Sequence, residues 1–165
     1  MGMVYAKLKL LNAGDIILFK RGMLEENKIR QVEVEALVDS GATTIVLPKS
    51  LSEQLGLDYV EKRDVELADG KPQRAEIVGP VEIRFDGRLS VTNAVVLGNE
   101  VLLGSIPLEE MDVVIDPKSQ RLIVNPEHPD LPRLKVKLVH SSQTVIYGGK
   151  QNGHGSCEAE VAKRY

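Results

Sequence analysis

Apolar residues recur at every second position through most of the first 125 residues, the period of strands with one wet and one dry face. Val4, Ala6, Leu8 and Leu10 alternate with polar neighbours and predict a first strand. Ile29, Val32, Val34 and Ala36 do the same before the chain turns fully apolar at Leu37 and Val38, as a strand does when it enters a core. Between these two, NAGDIILFKRGMLEEN reads as a short helix capped near Asn12 or Asp15, or as a second strand with a long turn; a helix or irregular connection is the favoured reading. TTIVLP is a short apolar strand closed by Pro48. PKSLSEQLGL then carries a helix signature, with Ser50 as cap, Glu53 three residues on, Leu51 and Leu55 on one face and Gly56 as the stop.

Strand periodicity returns beyond residue 60. Val65 and Leu67 lead into Asp69-Gly70, a strong hairpin signal, and RAEIVGPVEIRF is the returning arm. Its internal Gly79-Pro80 predicts a bend or an edge position. Asp86-Gly87 makes a second hairpin turn into LSVTNAVVLG. VLLGS follows as an apolar run, IPLEEM as one helical turn starting at its proline, and DVVID and RLIVN as a last hairpin around PKSQ. The texture changes at Pro126: three prolines fall within NPEHPDLPR, and the remainder is basic and glycine-rich without apolar period. Residues 1–130 are expected to form the compact domain, and 131–165 a flexible tail, natural or appended.

Composition narrows the class. The 165 residues include no Trp and two Phe, so a core must come from Val, Leu and Ile, which favours a β-rich fold. A net charge of -3, with basic residues scattered, argues against nucleic acid as partner. The single Cys157 allows no internal disulfide and points to a reducing, cytoplasmic setting. No run is long enough to span a membrane, and MGMVYAKLKLL has neither the apolar core of a secretory signal nor a myristoylation pattern. His128, His140 and His154 lack ligand-like spacing, so neither metal nor cofactor is expected. Asp116, before Pro117, reads as a turn residue, and Glu109, Glu110 and Asp112 as groups that cap or solvate the short helix.

The chemically loaded segment is Ala36-Leu37-Val38-Asp39-Ser40-Gly41-Ala42. It sets a carboxylate at the inner end of an apolar strand, where an ionised group is costly unless hydrogen-bonded. Ser40 follows with a hydroxyl, and Gly41 permits close approach of another backbone. A plain turn in which Asp39 caps local amides is the bland alternative. Yet ALVDSGATTIVLP, followed by an Asp-Gly hairpin and then VLLGSIPLEEMDVVID, resembles the retropepsin-like aspartic proteases, single-domain relatives of pepsin.

That resemblance implies a mainly β, closed, antiparallel, barrel-like fold with one or two short helices. It implies a catalytic loop of Asp39, Ser40 and Gly41, with Gly104 packed against it. Ala42 and the tip residues Ala68, Asp69 and Gly70 would contact substrate, the hairpin from Val65 to Val81 closing as a flap. Peptide hydrolysis without a metal or a covalent intermediate needs two carboxylates that share a proton. With one motif copy, the second Asp39 must come from a homodimer partner on a two-fold axis. The implied function is an aspartic endopeptidase acting on peptides or proteins; the alternatives are a non-catalytic dimerisation or peptide-binding module of the same fold, and an unrelated β-domain with a chance turn. Val46, Val78 and Leu102 are expected as aliphatic walls. Thr43 and Ser105 stand where retroviral members carry an acidic residue and an Arg that pair, and the tip lacks their paired glycines.

Overall fold

A computed structural model of the protein describes residues 2–67 and 69–136. Ala68 and the tail, with His140, His154 and Cys157, lie outside them. The described residues up to Lys135 form one compact unit. The architecture is mainly β: strands β1 (Tyr5–Asn12), β2 (Gln31–Val38), β3 (Ile45–Leu47), β4 (Asp58–Glu66), β5 (Pro72–Phe85), β6 (Arg88–Val96) and β7 (Leu102–Leu103) form one sheet in the order β1-β2-β7-β3-β6-β5-β4. Because β1 also pairs with β5, the sheet closes on itself as a ring, with β4 outside the closure. Strands β8 (Val113–Asp116) and β9 (Arg121–Val124) form a separate antiparallel pair.

Two features depart from the antiparallel expectation. β2 pairs with β7, and β3 with β6, in parallel. Three α-helices are present rather than one or two: α1 (Ala13–Lys20), α2 (Lys49–Leu55) and α3 (Ser105–Glu110). The segment after β1 resolves to the helical reading, because the Asn12 side chain accepts the Asp15 N–H and caps α1. Helix α2 ends at Gly56 as expected, in the left-handed region at φ 56°, but its N-cap is Pro48. Ser50 lies inside the first turn and makes no capping bond, so the Ser50–Glu53 box is not formed. Helix α3 likewise starts at Ser105, not at Pro107.

Gly79-Pro80 does not end a strand or mark an edge. β5 runs through it with a register shift against β6 between Val78 and Val81, and exchanges partners along its length: β4, then β6, with β1 at its far end. Of the two expectations, bend or edge, the edge does not hold, because β5 is paired on both sides and the interruption falls where β4 hands over to β1. Asp86 and Gly87 both take positive φ (44° and 77°), the two-residue turn expected between β5 and β6.

The core is aliphatic. Leu8, Leu10, Ala36, Val38, Ile45, Leu47, Leu55, Val78, Val81, Ile83, Ala94, Leu103 and Met111 pack as one cluster inside the ring. A polar knot clamps the outer helices to it. Asn12 Nδ2 donates to the Leu55 and Gly56 carbonyls at 3.0 Å each, and Asp15 accepts Arg30 Nε at 2.7 Å and Nη2 at 2.8 Å. These Arg30 bonds hold the Asp15 carboxyl below its ordinary range. Among the described residues, no helix is long and apolar enough to cross a membrane.

Candidate active site

Asp39 follows β2 directly, and its N–H donates to the Leu103 carbonyl at 3.0 Å, so the β2–β7 ladder continues through it. The loop then folds on itself. Gly41 N–H donates to Asp39 Oδ1 at 2.9 Å, and Ala42 N–H to the Asp39 carbonyl at 3.1 Å. The carboxylate is half-buried although Val38 before it is in the core. One oxygen is thus oriented by a local amide, as the bland alternative foresaw, and the group escapes the desolvation cost of a fully buried charge. Ser40 and Gly41 are exposed, and Ala42 half-buried.

The loop is locked from behind by the turn into α3. Ser105 N–H donates to the Ala42 carbonyl at 2.8 Å and Ile106 N–H to the Thr43 carbonyl at 3.0 Å. Gly104 is buried between them, and a methyl there would collide with the Thr44 and Ala42 carbonyls and the Thr44 amide. This is the close packing expected of Gly104. Thr43 and Ser105, at the positions of a charged pair elsewhere, are joined through backbone instead: Ser105 Oγ lies 3.5 Å from the Thr43 carbonyl. Thr44 Oγ1 donates to the Asn93 carbonyl at 2.9 Å and ties the loop to β6.

The tip residues Asp69 and Gly70 stand apart from this loop. Leu67 N–H donates to Lys71 O and Gly70 N–H to Leu67 O, closing a tight turn in which Asp69 Oδ1 accepts the Lys71 amide. Among the described residues, no hydrogen bond links the tip to the Asp39 loop.

What connects them is a row of side chains. Strand partners share a face of the sheet, and the register runs Leu37, Leu102, Val46, Val95, Ile77, Glu61 across β2, β7, β3, β6, β5 and β4. None of the five aliphatic members belongs to the core cluster, and all but Ile77 are half-buried. Asp39, two residues beyond Leu37, continues the same face. The carboxylate therefore heads an apolar row that ends at the hairpin. Val46 and Leu102 are in it, as expected of walls. Val78 is not: it packs in the core cluster, and its equally buried neighbour Ile77 lies outside that cluster, opposite Val95. Leu37, Val95 and Ile77 were missed because the pairings that align them with Leu102 and Val46 join strands far apart in the sequence.

Asp112 has a different role from solvating α3. It takes φ 51°, and its carboxylate accepts Asn125 Nδ2 at 2.8 Å, His128 Nδ1 at 2.7 Å and the Arg133 N–H at 2.9 Å. Buried Arg88 donates to the His128 and Pro129 carbonyls, so residues 125–133 are strapped to the sheet. Glu110 accepts the Ser90 hydroxyl. Among the described residues, no group of three His, Cys, Asp or Glu is placed to hold a metal ion.

A family model for aspartyl proteases matches residues 26–124, from just before β2 to the end of β9. The chain belongs to the aspartyl protease family. Its single Asp-Ser-Gly sequence sets it among the retropepsin-like members. The crystal structure of the retroviral protease-like domain of Ddi1 from Leishmania major is similar at a TM-score of 0.47 and 21% identity, over 76% of this chain and 90% of that one. No curated protein shows significant sequence similarity to the chain.

Proposed function

We propose that this aspartyl protease family member is a homodimeric endopeptidase whose two Asp39 carboxyls meet at a two-fold axis. The observation that carries the reading is the placement of Asp39: half-buried, oriented through one oxygen by the Gly41 amide, and at the head of an apolar row. One such loop per chain supplies one carboxylate, and peptide hydrolysis without a metal or a covalent intermediate needs two. The pair holds one proton as a coupled unit. Its ionised member takes a proton from a water between the carboxyls, and that water attacks the scissile carbonyl. The protonated member donates to the carbonyl oxygen, and a proton then passes to the leaving nitrogen.

Ser40 and Gly41 hold the two loops in register, while Ala42 and the tip around Ala68, Asp69 and Gly70 grip substrate backbone. The aliphatic row favours apolar side chains beside the cleaved bond. The lone cysteine supports a cytoplasmic setting.

The deciding experiment measures cleavage of a mixed peptide library by the wild-type chain and by Asp39→Asn. The variant is expected to lose all cleavage while keeping its fold. Wild-type cleavage is expected to be blocked by a statine-type mimic and to fall in specific activity on dilution. Undiminished cleavage by Asp39→Asn sinks the proposal. Peptide binding by both proteins without cleavage by either supports the non-catalytic module instead.

A further inference from the structure

The apolar row does not stay apolar. At the hairpin it meets Glu61, and the same face of β4 continues with Arg63 and Val65, opposite Ile77, Ala75 and Gln73 of β5. No register shift intervenes between Glu61 and Glu66, so alternation fixes these six on one face. Lys62, Asp64, Glu66, Arg74 and Glu76 fall on the opposite face, where Asp64 pairs with Arg74, and Lys71 pairs with Asp69 in the turn. Within the hairpin, the face continuous with Asp39 carries one ion pair, Arg63 Nη2 to Glu61 Oε1. Its members differ in access: the Arg63 side chain is 66% exposed and that of Glu61 46%.

A guanidinium has five N–H donors in a planar fork, and Glu61 engages one nitrogen of it. The rest remain available on the face that leads to Asp39. Glu61, half-buried and next to Ile77, holds the fork in place. A carboxylate arriving from substrate meets a preoriented guanidinium and adds a charge-assisted, potentially bidentate contact. An arriving ammonium must compete with Arg63 for Glu61 while facing its positive charge.

We infer that Glu61 and Arg63 form a charge-selecting subsite, in which Arg63 determines a preference for substrates with an acidic side chain under the hairpin and apolar side chains beside the cleaved bond. The inference rests on reading the Asp39 face as the substrate cleft. A substrate bound as an added strand presents alternate side chains to that face, so the acidic residue lies an even number of positions from an apolar one.

The test uses peptides with a fixed apolar centre and one flanking residue set to Glu, Gln or Lys at each position in turn. The readout is the ratio of kcat/KM for each Glu peptide to its Gln twin, with wild type, Arg63→Gln, Arg63→Glu and the exchange Glu61→Arg/Arg63→Glu. One position is expected at which wild type prefers Glu about tenfold, the size of one charge-assisted contact. Arg63→Gln should bring that ratio to about one, and Arg63→Glu should shift the preference to Lys. A wild-type ratio of one at every position, or a ratio unchanged in Arg63→Gln, overturns the subsite. Titrating the same peptides against Asp39→Asn separates the two layers: charge-dependent binding that Arg63→Gln abolishes upholds the subsite even if wild type cleaves nothing, whereas charge-blind binding overturns it.

Discussion

The Asp39 loop owes its shape to a residue sixty-five positions away. Gly104 lies 2.6 Å from the Ala42 carbonyl and 2.7 Å from the Thr44 amide at the point a β-carbon would occupy. These are backbone atoms of a tied loop and cannot swing aside. Gly104→Ala is therefore expected to cost about 1–3 kcal/mol as overpacking. Under the proposed function it should also lower activity more than an equally destabilising core change such as Leu10→Ala, because the strain falls on the Asp39 loop. Denaturant midpoints and kcat for the two variants check this. Asp112 offers a pH signature. The Asn125 amide first, then the Arg133 N–H and the His128 ring, lower its pKa from 3.8 to about 2. The folded state thus binds this proton less readily than the unfolded chain. The stabilisation is complete above about pH 4 and is lost as pH falls toward 2. In Asp112→Asn that part of the slope disappears, so Tm profiles of variant and wild type should converge between pH 4 and 2.

Elements held together by local signals were readable in the sequence, and those fixed by distant partners were not. The two hairpins turning at Asp69-Gly70 and Asp86-Gly87 appear where the turn chemistry put them, as does the stop of α2 at Gly56. Asp39-Ser40-Gly41 and Gly104 announced a tight loop and its backing. The parallel pairings were invisible, since β2 finds β7 across more than sixty residues. So was the choice between two adjacent residues of β5, where Ile77 and not Val78 lies opposite Val95. The Ser50 cap failed for a different reason: the sequence pattern is satisfied by a serine that the helix start at Lys49 overtakes by one residue. Asn12 shows how much one local signal can carry. It caps α1 and also bonds both carbonyls at the end of α2. Asn12→Ala should therefore cost more than the roughly 1 kcal/mol of an exposed cap, because the buried Leu55 carbonyl and the half-buried Gly56 carbonyl lose their donor. Thermal unfolding compared with a Pro48→Ala control, which removes no side-chain bond, measures the excess.

At the scale of the molecule, the proposed reaction belongs to two chains together. Mixing wild type with an equal amount of Asp39→Asn and allowing exchange should cut activity to roughly a quarter of what the same total of wild type gives, since random pairing leaves one dimer in four with both carboxyls. A monomeric catalyst would retain half. Activity titrated against the fraction of variant distinguishes a quadratic fall from a linear one.

The bonds from Asp39 to Leu103 and from Ser105 to Ala42 also order events in time. A chain emerging from the ribosome has made its aspartate long before the strand and helix that brace it, and long-range pairings of this kind form late. Until about residue 106 is free to fold back, the loop has no frame. If the chain is the endopeptidase proposed above, a growing polypeptide is thereby spared from digesting itself or its neighbours during synthesis.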